Sequence, residues 1–275
     1  MDISLIGGDR RSLYLKELLE KDNHKVDLIG FSKYHMDTTT IDQPLHKHII
    51  CGIPLARDGV LHMPHYHGDP IKLDDFKKRL TADNILIAGG LSKIQLPCKK
   101  YDLLDNEQFL QSNAILTAEG TLQTVIAETP FSLCGTHVVV IGFGRIGSRL
   151  ASMFKHMGAK VEVVVRSQKD FSKASWLGFS VSFQDEINHI LKQSLVIINT
   201  PPATVKDDDY IYSLGTNHLK YINKDALIID VSSKPYGVHP DMINVAKTMC
   251  IGNIPGKTAP QTGAFYIKKV IDSIL

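Results

Sequence analysis

The sequence predicts an α/β protein of two Rossmann-like domains, each a mainly parallel sheet flanked by helices, joined by a helix with an interdomain cleft. Three observations predict it. Short β-branched and aliphatic runs alternate with segments of helical period from end to end, the pattern of parallel strands linked by crossover helices. A length of 275 residues suits two modest domains better than one oversized core. One run, HVVVIGFGRIGSRLASMF from His137, reads as the strand, glycine turn and helix of a nucleotide-binding unit.

In the first half, strands are expected at 3–6, 25–29, 59–63 and 84–88. Between the first two, Leu13, Leu15, Leu18 and Leu19 recur at helical spacing, completing a β-α-β unit of about 30 residues. A fifth strand at 101–104 is compatible with helix as well. Thr117, with Glu119 and Gly120 close behind, has the look of a capped helix start, and Pro130 ends that helix. This helix is the natural joint, dividing the chain into 1–117, a substrate or cap domain, and 118–275, a nucleotide domain. In the second half, strands are expected at 138–141, 161–165, 195–199, 226–231 and 248–251, with helices starting near Ile146, Gln184, Asp208 and Pro240. A last helix, at 263–274, follows a Gly/Pro-rich segment and is expected to cross back onto the first domain.

Charged residues at 22% and a net charge of +2 argue against disorder and against a nucleic-acid-coating protein. Cys51, Cys98, Cys134 and Cys250 are scattered without C-x-x-C spacing, which suggests neither zinc knuckle nor disulfide framework and fits a reducing cytoplasm. The amino terminus MDISLIGGDRR lacks the basic-then-apolar pattern of a secretory signal. No apolar run reaches the roughly 18 residues that span a bilayer, so a soluble protein is expected.

Gly142, Gly144 and Gly147 follow β-branched residues and open a helix rich in Leu150, Met153 and Phe154. Gly142 permits the tight turn, Gly144 lets backbone approach a pyrophosphate, and Gly147 lets helix pack on strand. Arg145 and Ile146 complete the turn, and free amides at the helix start face the anion. About 20 residues on, an acid would accept the adenosine ribose 2′-OH. Arg166 stands there instead; its guanidinium can pair with a 2′-phosphate, Ser167 and Lys169 supply further donors, and NADP becomes the expected cofactor. Farther along, Asn199, Thr200, Pro201 and Pro202, then Val231, Ser232, Ser233 and Lys234, fall at carboxyl ends of strands, where open parallel sheets collect ligands.

Together the segments IGGDRR, AEGT, VIGFGRIG, VVVRSQ, INTPP, DVSSKPYGV and NIPGKTAPQTGA resemble the A subunits of dipicolinate synthase, a sporulation enzyme of endospore-forming bacteria, over nearly the whole chain. The resemblance implies an NADP-linked oxidoreductase that converts dihydrodipicolinate to dipicolinate in the mother-cell cytoplasm, in partnership with a flavoprotein-like B subunit. A homo-oligomer is also expected, and neither nucleic acid nor membrane is a partner. The loop LHMPHYHGDP departs from the family's pattern. Its His62, His65 and His67 read as a solvated turn rather than a metal site, since no carboxylate or cysteine partner lies nearby in sequence.

Removing a hydride and a proton from a dihydropyridine ring makes it aromatic, so the protein must mainly orient a dicarboxylate. The residues expected to do so are Arg10, Arg11, Thr117, Glu119 and Thr121, then Asn199, Ser232, Lys234, Lys257 and Thr258. Glu119 is the leading proton acceptor, with a helix first-turn role as its alternative. Lys234 serves catalysis or neutralises a carboxylate. A D-2-hydroxyacid dehydrogenase would share the plan but needs a paired acid/base histidine, and only His239 stands near the required place. A non-catalytic NADP-binding regulatory protein is the other competing class.

Overall fold

The computed structural model describes residues 1–207 and 209–275. The chain divides into two compact α/β units, Met1–Asn113 with Pro255–Leu275, and Ala114–Ile254.

The first unit contains β1 (Asp2–Ile6), α1 (Arg11–Lys21), β2 (Lys25–Ile29), β3 (His48–Cys51), β4 (Ala56–Arg57), β5 (Val60–Leu61), α2 (Leu73–Lys78), β6 (Ile85–Ala88) and β7 (Lys99–Asp102). Its main sheet is parallel, in the order β2-β1-β3-β6-β7. Side chains alternate between two covered faces, so the central strands are apolar on both sides. Ile3, Leu5, Val26, Leu28, Ile50 and Ile87 point into one core, and Ile6, Ile29, Ile49, Leu86 and Ala88 into the other. Helix α1 presents Leu15 and Leu19, four apart, to the first core.

The expected strand at 59–63 is corrected. Asp58 and Gly59 both have positive φ, at 49° and 77°, the paired left-handed conformation of a two-residue hairpin turn. They fold β4 and β5 into a separate antiparallel pair, and His48–Cys51 takes the place in the sheet.

Helix α3 (Glu107–Glu128) starts ten residues before the capped start expected at Thr117. The Asn106 side chain accepts from the Phe109 amide at 2.8 Å and caps it. Thr117, Glu119 and Gly120 are helix interior, so a first-turn role for Glu119 is excluded. The boundary between the two units falls inside this helix.

The second unit continues with β8 (His137–Ile141), α4 (Arg145–His156), β9 (Lys160–Val165), α5 (Gln168–Trp176), β10 (Ser180–Phe183), α6 (Ile187–Gln193), β11 (Val196–Asn199), β12 (Thr204–Lys206), β13 (Asp209–Ile211), β14 (Leu227–Asp230) and β15 (Lys247–Cys250). The six-stranded sheet is parallel in the order β10-β9-β8-β11-β14-β15, the order of doubly wound dinucleotide-binding sheets. Val138 and Val140 face one core, Val139 and Ile141 the other. The helix expected near Asp208 falls partly on a residue outside the described ones; to either side the chain is a hairpin of β12 and β13, whose Val205, Tyr210 and Ile211 favour strand. Near Pro240 the chain makes only a short 3-10 turn, Pro240–Asn244, capped by the His239 side chain.

Helix α7 (Ile254–Thr258) leads into α8 (Pro260–Asp272). Ala264, Ile267, Val270 and Ile271 of α8 join the core that α1 covers in the first unit.

Candidate functional site

The glycine turn after β8 is built as a ligand cradle, and its three glycines differ in what requires them. Gly142 has φ +89°, and a Cβ there would meet Thr200 Oγ1 at 2.5 Å. A Cβ on Gly147 would lie 2.1 Å from the Gly142 carbonyl oxygen. Both are demanded by the fold itself. Gly144 is not: a Cβ on it would meet nothing within 4 Å. It caps the twelve-residue α4 without a side-chain hydrogen bond, leaving open space over the first amides of that helix. The turn therefore fits a pyrophosphate, which would sit on those amides at the positive end of the helix. Arg145 is exposed at the first helical position, while Ile146 packs against the core.

At the neighbouring strand ends, two loops brace this turn. The Thr200 hydroxyl donates to the Ile141 carbonyl at 2.8 Å, and Pro201 packs near Gly142. Asn199 is fully buried; its amide donates to the Pro201 carbonyl at 2.9 Å, and its Oδ1 has no partner among the described residues. A buried acceptor left unmatched in this way is costly and marks a place where a ligand donor fits. After β14, the buried Asp230 carboxylate accepts from the Ser232 amide at 2.9 Å and the Val238 amide at 2.8 Å. The Ser232 hydroxyl accepts from the Gly237 amide at 3.2 Å and keeps its own proton to donate. The Ala203 amide donates to the Pro235 carbonyl at 3.0 Å, tying the two loops together. The structure thus gathers Gly142, Gly147, Asn199, Thr200, Pro201, Val231 and Ser232 at one sheet edge, whereas Ser233 and Lys234 are exposed. Asp230, the anchor of the second loop, escapes sequence reasoning; its one signal is an acid closing an aliphatic strand.

Arg166, the first residue beyond β9, is exposed and lines an open cavity of about 1060 Å³ with Gln184, Asn188, Tyr212, His218 and His239. Ser167 is committed: its hydroxyl caps α5, accepting from the Asp170 amide at 3.1 Å and donating to the Asp170 carboxylate at 2.8 Å. Lys169 is exposed. Glu162, inside β9, accepts from the Ser182 hydroxyl at 2.6 Å. His239, the histidine a hydroxyacid dehydrogenase would need, accepts from the Asp241 amide at 3.2 Å and lies edge-on to Tyr212.

On α3, Thr117 and Thr121 are buried and Glu119 is exposed. The Thr121 hydroxyl donates to the Thr117 carbonyl one turn back, at 2.7 Å, so it can only accept from a ligand.

In the first unit, Arg11 is not available to a substrate. Its guanidinium lies on the Asp9 carboxylate, with Nη2 to Oδ2 at 2.7 Å and Nε to Oδ1 at 2.9 Å, and both side chains are buried. A further nitrogen donates to Asn113 Oδ1 at 3.3 Å. Burial by itself raises the Asp9 pKa, but the bonds and charge of Arg11 outweigh it and hold the carboxyl below its usual value. Gly256 of α7 lies against this carboxylate, where a Cβ would come within 2.6 Å of either oxygen. Arg10, Lys257 and Thr258 lie at or near the surface.

His62 is half-buried, with Nε2 fully enclosed and unpartnered among the described residues. Burial, then the Arg57 charge, pushes its pKa down to about 4. His65 packs on Phe31 and Tyr34, ring centroids 5.4 and 5.0 Å away, while the exposed His67 is held through its amide by Ser32. Among the described residues, no three His, Cys, Asp or Glu side chains are placed to hold a metal ion.

Comparison with known proteins supplies the family. Residues 2–102 match the N-terminal domain of the dipicolinate synthase A subunit, and residues 107–253 match the D-isomer specific 2-hydroxyacid dehydrogenase NAD binding domain. The chain is 25% identical to the dipicolinate synthase A subunit of Bacillus subtilis (strain 168), covering 100% of this chain and 96% of that one. The crystal structure of that Bacillus subtilis protein superposes with TM-score 0.79 at 25% identity, over 100% of this chain and 95% of the other. Its counterpart from Bacillus halodurans, at 23% identity over 99% of this chain and 97% of the other, shares the fold with TM-score 0.81. Among the described residues, no helix is long and apolar enough to cross a membrane. The matched nucleotide domain and its glycine turn make the protein a dehydrogenase-type oxidoreductase with a nicotinamide cofactor. The chain is similar over its whole length to the dipicolinate synthase A subunits, and through residues 107–253 it belongs to the family of D-isomer specific 2-hydroxyacid dehydrogenase NAD binding domains.

Proposed function

We propose that this protein oxidises dihydrodipicolinate to dipicolinate with NADP⁺, in the mother-cell cytoplasm of a sporulating bacterium and together with a flavoprotein-like B subunit of the synthase. The observation that carries the cofactor choice is Arg166: a guanidinium, not a carboxylate, follows β9 and lines a cavity large enough for an adenosine phosphate. A carboxylate there would repel a 2′-phosphate, whereas the planar guanidinium can bind it through paired hydrogen bonds.

When bound, the nicotinamide ring supplies the hydride acceptor. The substrate loses that hydride and one proton, and the product is a pyridine. The chain's own residues then have four tasks. The α4 amides and the Gly142–Gly147 turn hold the pyrophosphate. Asn199 Oδ1 and the Ser232 hydroxyl offer an acceptor and a donor at the same sheet edge. Glu119 takes the proton, Thr117 and Thr121 line its helix, and Lys234 pairs with a substrate carboxylate.

The test is direct. Purified chain with enzymatically generated dihydrodipicolinate and NADP⁺ is expected to form NADPH, measured by absorbance, with or without the B subunit. No NADPH in either case would remove the oxidoreductase reading of the substrate. Glu119→Gln is expected to lower kcat far more than cofactor affinity; an equal loss of both would make Glu119 structural.

A further inference from the structure

The parallel register of β9 and β10 sets Val165 opposite Phe183, the last residue of each strand. Arg166 and Gln184 come next on the two strands, so they leave neighbouring carboxyl ends side by side, paired strands lying about 4.8 Å apart. Both line the same open cavity. A nucleoside 2′-phosphate carries its phosphate and its base on one ribose, so a phosphate on Arg166 brings the base near the residue alongside.

One bond fixes what Gln184 offers that base. Its Nε2 donates to the Ser213 carbonyl at 2.6 Å. Ser213 is itself held: it is buried, and its amide donates to the Gly237 carbonyl at 2.8 Å. Turning the Gln184 amide over would set oxygen against oxygen, so the side chain keeps one orientation and Oε1 is left as an acceptor. This oxygen has no partner among the described residues and, unlike Asn188 Oδ1, is not sealed from solvent. The wall beside it suits a flat ring. Tyr210 and Ile211 are 53% and 48% exposed, and both line the cavity with Tyr212, whose ring stands edge-on to His239 with centroids 4.8 Å apart. Large apolar side chains left uncovered next to a fixed acceptor fit a heterocycle with a donor on its edge.

We propose that Gln184 reads the base of the cofactor, its Oε1 accepting from the exocyclic amino group of adenine and disfavouring a 6-oxo purine. The inference rests on the nicotinamide cofactor lying with its adenosine end beside Arg166, and not on the identity of the substrate. Adenine gives the acceptor a donor. Hypoxanthine sets two carbonyl oxygens face to face, and the amide cannot turn over to relieve them without losing its bond to Ser213. Asp185 lines the cavity as well, but its exposed carboxylate makes no hydrogen bond or ion pair among the described residues, so nothing holds it to one geometry.

The test titrates the full chain, by calorimetry, with NADP⁺ and with nicotinamide hypoxanthine dinucleotide phosphate, in which an oxo group replaces the purine amino group. The wild-type chain is expected to bind NADP⁺ at least about fivefold more tightly. In Gln184→Met, and in Gln184→Ala as the second variant, the preference is expected to shrink to within about twofold, whereas Asp185→Asn keeps it. Equal binding of the two by the wild-type chain overturns the proposal without recourse to any variant. So does a preference that survives both Gln184 variants, or one that disappears in Asp185→Asn. Repeating the wild-type titration with NAD⁺ and its hypoxanthine counterpart separates the readings. A chain indifferent to the 2′-phosphate that still prefers adenine overturns the NADP reading and leaves Gln184 its role. A chain that binds neither pair overturns the placement of the cofactor and this inference with it.

Discussion

Two arginines show how far a single residue's role depends on its neighbours. Arg166 stands exposed beyond β9 without an ion pair among the described residues, so its donors remain for a ligand. Arg166→Asp is expected to weaken NADP(H) binding by roughly 1.5–3 kcal/mol, the range for lost charge-assisted bonds, with NAD(H) affected much less. An unchanged NADP/NAD preference, read from paired titrations, would show that the guanidinium faces only solvent. Arg11 is the opposite case. It belongs to a buried ion pair with side-chain exposures of 6% and 4%, and Arg11→Met strands the Asp9 carboxylate in the interior. A loss of about 3–5 kcal/mol in unfolding free energy is expected, measured by denaturant titration. From sequence alone the arginines of G-G-D-R-R look alike, since nothing there says which guanidinium folds back onto the aspartate. The signal for Arg11 is only its i+2 spacing from an acid at a helix start, and the burial that makes the pair decisive comes from α7, distant in sequence.

At the level of elements, the glycine turn and α4 allow packing and ligand binding to be separated. Gly147→Ala forces a Cβ to 2.1 Å from the Gly142 carbonyl oxygen, so the helix must move off the strand, and about 1–3 kcal/mol of stability is expected to go with it. Gly144→Ala meets nothing in the chain, so the thermal midpoint should stay within about a degree while NADP⁺ affinity falls at least tenfold. Loss of stability in Gly144→Ala, or retained affinity, would mean that the open space above α4 is not where the pyrophosphate lies. The turn and the central strands are legible because strands covered on both faces read as unbroken aliphatic runs, as in Val138–Ile141 and Ile197–Ile198. Less legible are β3 and β10: the apolar run of HIIC is only three residues long, and SVSF is half serine. The start of α3 is misplaced by sequence reasoning because Thr117 resembles a cap, whereas Asn106 holds the real one. Hairpin β4–β5 reads as a sheet strand because alternation in VLHM does not reveal which partner a strand will find.

For the whole molecule, the common thread is histidines kept neutral by burial, in both units. His48, His62 and His65 of the first unit and His218 of the second all have pKa values below the usual 6.5, burial being the leading cause in each. His218 is further committed as an acceptor, its Nδ1 taking the Gly215 amide at 3.0 Å. In the unfolded chain these rings protonate near 6.5. Between that value and their lower folded values the unfolded chain therefore holds more protons, and stability must fall as the pH is lowered through the window. For His62 the window runs from 6.5 down to about 4, and for a half-buried ring the loss is on the order of 1–2 kcal/mol after solvent screening. Asp9 extends the decline: its folded pKa is depressed, so the stability it contributes above its usual 3.8 disappears as the pH falls through the lower folded value. Denaturant midpoints measured from pH 8 to pH 4 are thus expected to be flat above about pH 7 and to drop steadily below it. His62→Gln removes one titrating ring without adding a charge, so its profile should be shallower between about pH 6.5 and 4 and parallel to the wild type above. If the two profiles keep the same slope throughout, burial and the Arg57 charge do not hold His62 neutral.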